Sequence, residues 1–457
     1  MRYANIEIGT KEVSVWVSEL KDRRLNLTCT AKSRLNEVYA QRLFSLDLSA
    51  ILAAALEGLR NSGGVDYISV TCAQSAVVVL DENDDVLFCL ASRDPGIDAV
   101  DKSAVDDRKL FDAAGLVPDS RSSLYHLMAL SKDEPHLFSR AACYMFVSDW
   151  LKAKLTGCKA SDRSLAAVNG LVCYHSGEWN DELFESAGIR NLFPAFAKTG
   201  AVLGALSAEA ARQTGFDAQV ICADADPVTE AVCAMKPHLF ITSWQGGKIG
   251  LVSHSPIIND EMYGSRAQNV KTCCGDNILL LPFDGYSLIE RVKRQSPEGT
   301  TFDTIEDIAR DNKVFEYIDI RDERLKSGDI IEAVNTLLEE QNKEKTEREV
   351  AIGLLYNSVA RYTSGSVRLL DEINEAFCPE IYIFGQASKD YYLNSLITMH
   401  TDKSVISSPC FFSSAFAFIN MMKAFKEIEQ GDEADLIRNT AGLSTFSRKE
   451  EQTEQAQ

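Results

Sequence analysis

Apolar and polar residues alternate over the first thirty positions, and this period of two is the pattern of half-buried strands. It predicts strands at residues 3–8, 13–17 and 25–30. Gly9 and Thr10 lie between the first two strands and predict a tight turn. The chain therefore opens as an antiparallel meander with a glycine corner.

A second hairpin with the same pattern is predicted further along the chain, with strands at residues 239–243 and 249–253 around a pair of glycines. Two segments that begin in the same way indicate two related units. We therefore predict an N-terminal domain at residues 1–236 and a C-terminal domain at 237–446. The polar segment 447–457 is poor in apolar residues, so we expect it to be disordered.

Several segments have apolar residues at helical spacing, and strands and helices together predict an α/β protein. The principal predicted helices are residues 46–60, 105–114, 123–130, 144–155, 347–376 and 415–428.

The segment QVICADADPVTEAV combines a short buried strand, two aspartates and a helix start. The strand is predicted at Val220–Ala223, and Asp224 and Asp226 follow two residues apart. Pro227 suits the first position of the next helix because proline has no N–H to lose there. An acidic turn after a strand of an open α/β sheet is a usual place for reactive groups, yet either aspartate is equally explained as a helix cap.

Length and charge narrow the range of functions. A chain of 457 residues is long enough for two or three domains. Its net charge of −20 argues against binding to nucleic acid. The sequence contains no stretch of about eighteen apolar residues, so we predict no membrane helix. Met1 leads into a polar strand, so we expect a cytoplasmic protein. We also expect reduced thiols, because five of the cysteines lie in apolar runs, namely Cys72, Cys89, Cys143, Cys222 and Cys233.

The order of these motifs resembles the FGGY family of carbohydrate kinases along nearly the whole chain. The resemblance rests on five segments: IEIGT at 6–10, SLYHLMAL at 123–130, SDWLKAKLTG at 148–157, ICADADPVTEAVCA at 221–234 and IFGQASKDYYLNSL at 383–396. It implies an α/β, two-domain actin-like ATPase fold, which is ribonuclease H-like, with ATP and sugar in an inter-domain cleft.

The resemblance also implies catalytic roles for three carboxylates. Asp226 aligns with the family's catalytic base, which takes the proton of the attacking hydroxyl group. Asp224 is the competing choice, because the turn is one residue longer here. Glu7 stands where the family has an aspartate near the metal, which implies Mg²⁺ bound through water together with ATP.

The nucleotide site implied by the resemblance departs from the family pattern. The two serines after the first corner are Lys11 and Glu12 here, and the family's Gly-Thr of the second corner falls on Trp244 and Gln245. A glycine survives in the adenosine motif, where a bare backbone can approach the nucleotide. The implied nucleotide-binding residues are Gly9, Thr10, Gln245, Gly246, Gly247, Gly385 and Gln386.

The implied sugar site is the most altered part of the chain. The candidate substrate-binding residues are Gln74, Arg93, Asp94, Ala225 and Pro227. The tryptophan and aspartate of the family's sugar-binding strand are replaced by the sequence CAQSAV at residues 72–77. The resemblance therefore implies a small sugar as substrate without identifying it.

Two functions remain open from the sequence. The first is an ATP-dependent carbohydrate kinase that phosphorylates a hydroxyl group of a small sugar. The second is a catalytically impaired homologue that binds a sugar or nucleotide and acts as a regulatory protein. The altered glycine motifs favour the second function, whereas the acidic turn favours the first. The oligomeric state has no readable signature.

Overall fold

A computed structural model describes most of the chain. The described residues are 1–40, 43–73, 75–90, 97, 99–118, 122–223, 226–243, 247–272, 275–374, 377–407, 413–429, 431–441 and 444–447. Seven predicted site residues lie outside them: Gln74, Arg93, Asp94, Asp224, Ala225, Gln245 and Gly246. All but the first residue of the predicted tail also lies outside them.

Strands and helices alternate along the chain. The strands are β1 (Arg2–Ile8), β2 (Glu12–Lys21), β3 (Arg24–Arg34), β4 (Glu37–Ala40), β5 (Leu43–Leu46), β6 (Tyr67–Cys72), β7 (Val77–Leu80), β8 (Val86–Cys89), β9 (Cys143–Phe146), β10 (Val202–Ala205), β11 (Gln219–Ile221), β12 (Leu239–Thr242), β13 (Lys248–Ser253), β14 (Gln268–Lys271), β15 (Asn277–Pro282), β16 (Glu380–Phe384), β17 (Ser404–Ser407) and β18 (Ser444–Phe446).

The helices of the described residues are α1 (Leu48–Asn61), α2 (Asp107–Ala114), α3 (Ser123–Asp133), α4 (Pro135–Phe138), α5 (Val147–Thr156), α6 (Arg163–Val168), α7 (Asp181–Ser186), α8 (Ala208–Thr214), α9 (Pro227–Met235), α10 (Asp260–Gly264), α11 (Gly285–Arg294), α12 (Phe302–Asp311), α13 (Ile330–Glu340), α14 (Arg348–Asn374), α15 (Tyr391–Thr401), α16 (Ser413–Ala424) and α17 (Glu433–Ala441). Two 3₁₀ turns lie at Glu323–Lys326 and Gln386–Lys389. None of the described helices is both long enough and apolar enough to span a bilayer.

The chain forms two compact units, and both are discontinuous in sequence. The first comprises residues 1–236, 254–278 and 412–440, and the second comprises 237–253, 279–411 and 441–457. The domain boundaries that we drew from the sequence remain a prediction. The second unit lies entirely after residue 236, but the first unit also takes residues 254–278 and 412–440 from that part of the chain.

The first unit is built on a sheet in the order β10-β11-β6-β1-β2-β3. β1 and β11 both run parallel to β6, whereas β2 returns antiparallel to β1 through the predicted corner. Because the carboxyl ends of parallel strands meet at one edge of a sheet, the segments after β1, β6 and β11 share that edge. Neighbouring strands lie about 5 Å apart, so β1 and β11 are about 10 Å apart across the sheet. Val220 of β11 is level with Ala4 of β1 through Ile68, so β11 ends before β1 does.

One predicted helix begins too early. Residues 144–155 have a helical pattern, but Cys143–Phe146 form β9, which pairs antiparallel with β7, and helix α5 starts at Val147. All four residues of β9 are buried. A short run that is apolar on both faces does not distinguish a buried strand from a buried helix, so pairing with β7 decides the outcome.

All five cysteines named above are buried, as their apolar runs predict. The first long helix, predicted at residues 46–60, is observed at Leu48–Asn61. Asp47 caps α1, and its carboxylate accepts a hydrogen bond from the Ala50 backbone N–H at 2.9 Å.

The second unit contains a sheet in which strands lie in the order β15-β13-β12-β16-β17-β18. β12 and β13 form the second predicted hairpin, and β16 runs parallel to β12. Thr242 and Phe384 are register partners at the ends of β12 and β16. The segment after β12 and the segment that begins at Gly385 therefore lie at the same sheet edge.

Candidate active site

The acidic turn connects β11 to α9, and the described part of it is organised by Asp226. Its Oδ1 accepts hydrogen bonds from the backbone N–H groups of Val228 at 3.1 Å and Thr229 at 2.9 Å. Pro227 occupies the first helical turn, as the sequence predicts. Asp226 is fully buried. The carboxylate thus caps α9, and this cap fixes its position whether or not it has a chemical role.

The backbone of the turn is held from the neighbouring helix α6. The Asp226 N–H donates a hydrogen bond to Ser164 Oγ at 3.2 Å. Ser164 in turn donates to Asp162 Oδ1, and the same oxygen accepts a hydrogen bond from Leu165 N–H at 3.1 Å. A chain of buried hydrogen bonds therefore runs from the cap of α6 to the cap of α9.

A buried ion pair supports this chain from α5. Lys152 Nζ lies 2.8 Å from Asp149 Oδ1 and 3.9 Å from Asp162 Oδ2, and all three side chains are buried. The Asp162 N–H also donates to Asp149 Oδ2 at 3.0 Å. Burial alone would lower the pKa of Lys152, but the two carboxylates outweigh burial and raise it. Lys152 therefore stays charged and joins α5 to the segment that holds the acidic turn.

The first glycine corner lies at the same sheet edge. The Gly9 N–H donates to the Glu12 carbonyl at 2.9 Å, which closes the turn between β1 and β2. A Cβ at Gly9 would lie 3.2 Å from that carbonyl oxygen. Thr10 is exposed beside it. Glu12 pairs with Lys32 at 2.8 Å, so its charge is directed to the neighbouring strand β3.

Glu7 belongs to a row of polar side chains on the face of β1 and β6. Ser414 Oγ, at the start of α16, donates to Glu7 Oε2 at 3.0 Å and accepts from Asn5 Nδ2 at 2.9 Å. Asn5 Nδ2 also donates to Thr71 Oγ1 at 2.9 Å, and Ser69 Oγ donates to Asn5 Oδ1 at 2.7 Å. The row orients the half-buried Glu7 carboxylate.

Helix α16 also contacts α9, so it connects Glu7 with the helix that Asp226 caps. Asn420 Nδ2 donates to the Glu230 carbonyl at 3.0 Å, and Lys423 Nζ donates to the Cys233 carbonyl at 3.2 Å. The sequence predicts this helix at residues 415–428 but indicates no contact between it and the acidic turn. The polar positions 5, 7, 69 and 71 on two adjacent apolar strands were a readable signal of the row that it covers.

Comparison with known proteins decides the family. Residues 42–233 match the model described as the FGGY family of carbohydrate kinases, N-terminal domain. The chain is 26% identical to a rhamnulokinase of Oceanobacillus iheyensis over 97% of both chains, and 23% identical to one of Halalkalibacterium halodurans over 94% of this chain and 95% of that relative.

Residues 42–233 of this chain belong to the FGGY family of carbohydrate kinases, and nearly the whole chain is similar to rhamnulokinases.

Solved structures of the FGGY family have the same fold. A xylulose kinase of Lactobacillus acidophilus superposes with a TM-score of 0.76 at 14% identity, over 100% of this chain and 96% of that one. A glycerol kinase of Plasmodium falciparum, solved with ADP, gives 0.75 at 12% identity over 100% and 96%. The protein therefore has the two-sheet, actin-like ATPase fold of FGGY kinases, as the resemblance implied.

The family consists of sugar-phosphorylating kinases that use ATP. In the second unit, the predicted nucleotide-binding glycines that the structure describes are Gly247 and Gly385. Gly247 has a φ of 79°, and a Cβ there would lie 2.2 Å from the Phe283 carbonyl oxygen. Gly385 also has a positive φ, of 83°. Neither position accommodates another residue without strain.

The segment after Gly385 packs against the end of β12. The Ala387 N–H donates to Ser243 Oγ at 3.1 Å, and Ala387 is buried. Its methyl group therefore lies within the second unit and does not project from it, while Gln386 is half-buried. The structure thus brings Gly385 and Gln386 beside the residue that precedes the second corner. Whether they contact a nucleotide remains a prediction.

The residues present fit a magnesium ion that comes with its nucleotide. Among the described residues, no three His, Cys, Asp or Glu side chains cluster as a metal cage. Mg²⁺ at phosphate sites takes most of its ligands from phosphate oxygens and water and needs one or two carboxylates from the protein. The half-buried carboxylate of Glu7, oriented by Ser414, is a donor of this kind.

Proposed function

We propose that this protein transfers the γ-phosphoryl group of ATP to a hydroxyl group of a small sugar. The observation that carries the proposal is that, in a chain of the FGGY family, the acidic turn and the glycine corner of β1 and β2 lie at one sheet edge. A base and phosphate-facing backbone groups are the parts that phosphoryl transfer requires.

The acidic turn supplies the base. A carboxylate accepts the proton of the attacking hydroxyl group as the new O–P bond forms and the bond to ADP breaks. We assign this role to Asp226, with Asp224 as the alternative. The buried network from Lys152 to Ser164 holds the backbone of Asp226 in place.

Backbone groups at the glycine corners and one carboxylate are the candidates for phosphate and metal contacts. We assign backbone contacts to Gly9 and Thr10 in the first unit, and to Gln245, Gly246 and Gly247 in the second. Gly385 and Gln386 would receive the adenosine. When bound, Mg²⁺ neutralises charge that develops on the phosphates, and Glu7 would hold it through water. Among the substrate candidates, Pro227 is buried and positions the helix that follows the base.

A second function has one specific observation in its favour. Asp226 has no exposed surface in this structure, and its Oδ1 already accepts two backbone hydrogen bonds. A family member that had lost phosphoryl transfer would keep such a cap for stability alone. It would then act as a sugar-binding or nucleotide-binding regulatory protein.

Nucleotide binding and turnover separate the two functions. Thermal unfolding with increasing Mg·ATP should show stabilisation of about 2.7 kcal/mol at a hundredfold excess over the dissociation constant. ADP release should then rise with one or more sugars in a panel of ketoses and aldoses. Absence of any stabilisation by millimolar ATP contradicts the kinase proposal, whereas stabilisation without turnover on any sugar supports the regulatory function.

A further inference from the structure

A cavity of about 480 Å³ lies within the first unit, in the size range of small-molecule sites. Its walls come from α6, from the loops at residues 172–177 and 196–199, from the segment at 269–272 and from Gly275, with Ala114 at the end of α2. These segments are far apart in sequence, so no local motif marks the cavity.

The cavity borders the acidic turn. Ser164 lines the cavity and accepts the hydrogen bond from the Asp226 N–H at 3.2 Å. A ligand that contacts the Ser164 side chain is therefore one hydrogen bond away from the backbone of the proposed base. The cavity therefore lies beside the backbone of the proposed base, and Asp226 itself is not among its described lining residues.

The charged side chains around the cavity are all basic. Arg163, Lys198 and Lys271 come from three separate segments, and the described lining includes no Asp or Glu. Arg163 has an acidic neighbour at the rim, Glu178 at 3.9 Å, with both side chains exposed. In the described part of the chain, neither Lys198 nor Lys271 has an ion-pair partner within 4 Å. A basic lining is unexpected by chance in a protein of net charge −20.

The remaining walls suit a ligand rich in hydroxyl groups. Ser164, Ser176, Thr199 and Thr272 contribute hydroxyl groups to the lining. Phe196 adds an apolar face, held rigid by stacking on Trp179 at 4.2 Å between ring centroids. Polar groups at a few defined positions, together with one aromatic wall, are typical of a site for a small polar molecule.

We propose that this cavity binds a small polyhydroxylated anion, either a sugar acid or a sugar phosphate, with its negative group among Arg163, Lys198 and Lys271. The inference rests on the proposed kinase function in one respect, because it identifies the anion as the substrate or product of the acidic turn. The binding itself is independent of turnover.

Calorimetry on the full chain without nucleotide tests the binding, with an aldonate, the alditol of the same carbon skeleton, the corresponding sugar phosphate and inorganic phosphate as probes. The aldonate or the sugar phosphate should bind at least about tenfold more tightly than the uncharged alditol. Added salt should weaken binding of the anion and leave binding of the alditol unchanged, because salt screens the charges at the rim of the cavity. Which of the two anions binds distinguishes the carboxylate from the phosphate ester as the source of the charge.

Charge variants provide the matched control. The double variant Lys198→Gln/Lys271→Gln should weaken anion binding about tenfold without loss of thermal stability, since both lysines are exposed. Lys154→Gln removes an exposed lysine of α5 that does not line the cavity and should change nothing. Equal affinity for alditol and anions, unchanged binding in the double variant, or no binding of any anion overturns the inference.

The outcome is separable from that of the kinase proposal. ATP-dependent phosphorylation of a neutral sugar with a KM unaffected by the double variant would keep the kinase and remove the anion site. Variant-sensitive anion binding in a protein that does not turn over ATP would keep the anion site and remove the kinase.

Discussion

Two buried aspartates, one in each unit, occupy the same local position in different surroundings. Asp226 caps α9 after β11, and Asp390 caps α15 after β16. Asp226 is held beside a buried network that contains the cation Lys152. Asp390 instead accepts hydrogen bonds from Leu393 N–H at 3.0 Å and Tyr356 Oη at 2.8 Å, among other acidic groups.

A capping motif thus fixes the position of a carboxylate, whereas the groups around the carboxylate set its pKa. Burial raises the pKa of Asp390 to about 7; the hydrogen bonds from Leu393 and Tyr356 lower it, Glu306 adds to the rise, and Arg310 opposes it. In the first unit burial raises the pKa of Asp149 to about 6 and Lys152 opposes the rise, whereas in the second unit the pKa of Asp390 is raised further.

The largest expected effect comes from removing the cation of the first network. Lys152→Met should lower the free energy of unfolding by about 3–5 kcal/mol, because Asp149 and Asp162 are left buried without their partner. Urea denaturation at neutral pH measures it. Lys154→Met, on the exposed face of the same helix, should change stability by less than about 0.5 kcal/mol. Equal effects of the two variants would show that the network does not stabilise the first unit.

The second effect concerns pH and Asp390. The folded carboxyl group holds its proton to about pH 7, whereas an unfolded aspartate loses it near 3.8. The folded chain therefore binds more protons between these values, so this group's stabilisation is fully present below 3.8 and is lost as pH rises to 7. The loss should reach up to about 4 kcal/mol.

Asp390→Asn isolates this contribution, because asparagine also caps a helix and carries no charge. The variant should be more stable than the parent protein at pH 8, and its denaturant midpoint should change less between pH 4 and pH 8. The variant retains the other titratable groups around the site, namely Tyr286, Glu306 and Tyr356. Any dependence of stability on pH that remains in the variant is attributed to them. An unchanged pH slope would refute the assignment of the proton to Asp390.

How far the sequence predicted the molecule follows from these same residues. The strand, acidic turn and helix around Asp226 were predictable, because apolar runs, a proline and two aspartates are local signals. The basic cavity and the contacts of α16 were not, because they join residues hundreds of positions apart. β9 was misassigned because Tyr144 and its neighbours are apolar on both faces, and only pairing with β7 distinguishes a strand from a helix there.

The third effect compares the two glycine corners. Gly247→Ala should cost about 2–3 kcal/mol, because it forces a positive φ on alanine and brings its Cβ within 2.2 Å of the Phe283 carbonyl oxygen. Gly299→Ala, also at positive φ but in open space, isolates the strain and should cost about 1 kcal/mol. Gly9→Ala should cost less still, because the φ of Gly9 is not positive and only the Glu12 carbonyl oxygen, 3.2 Å from the new Cβ, has to shift slightly. Thermal unfolding ranks the three, and a different order would contradict the geometry of the second corner.

The smallest effect on stability and the most direct test of function come from one variant of the acidic turn. Asp226→Asn keeps a side chain that caps α9 but removes the base, so the protein should unfold within about 0.5 kcal/mol of the parent. If Asp226 is the base, ADP release with the accepted sugar should fall by about a hundredfold or more, while Asp224→Asn retains most of it. Full activity in both variants, with their stability unchanged, would contradict the claim that the acidic turn performs the chemistry.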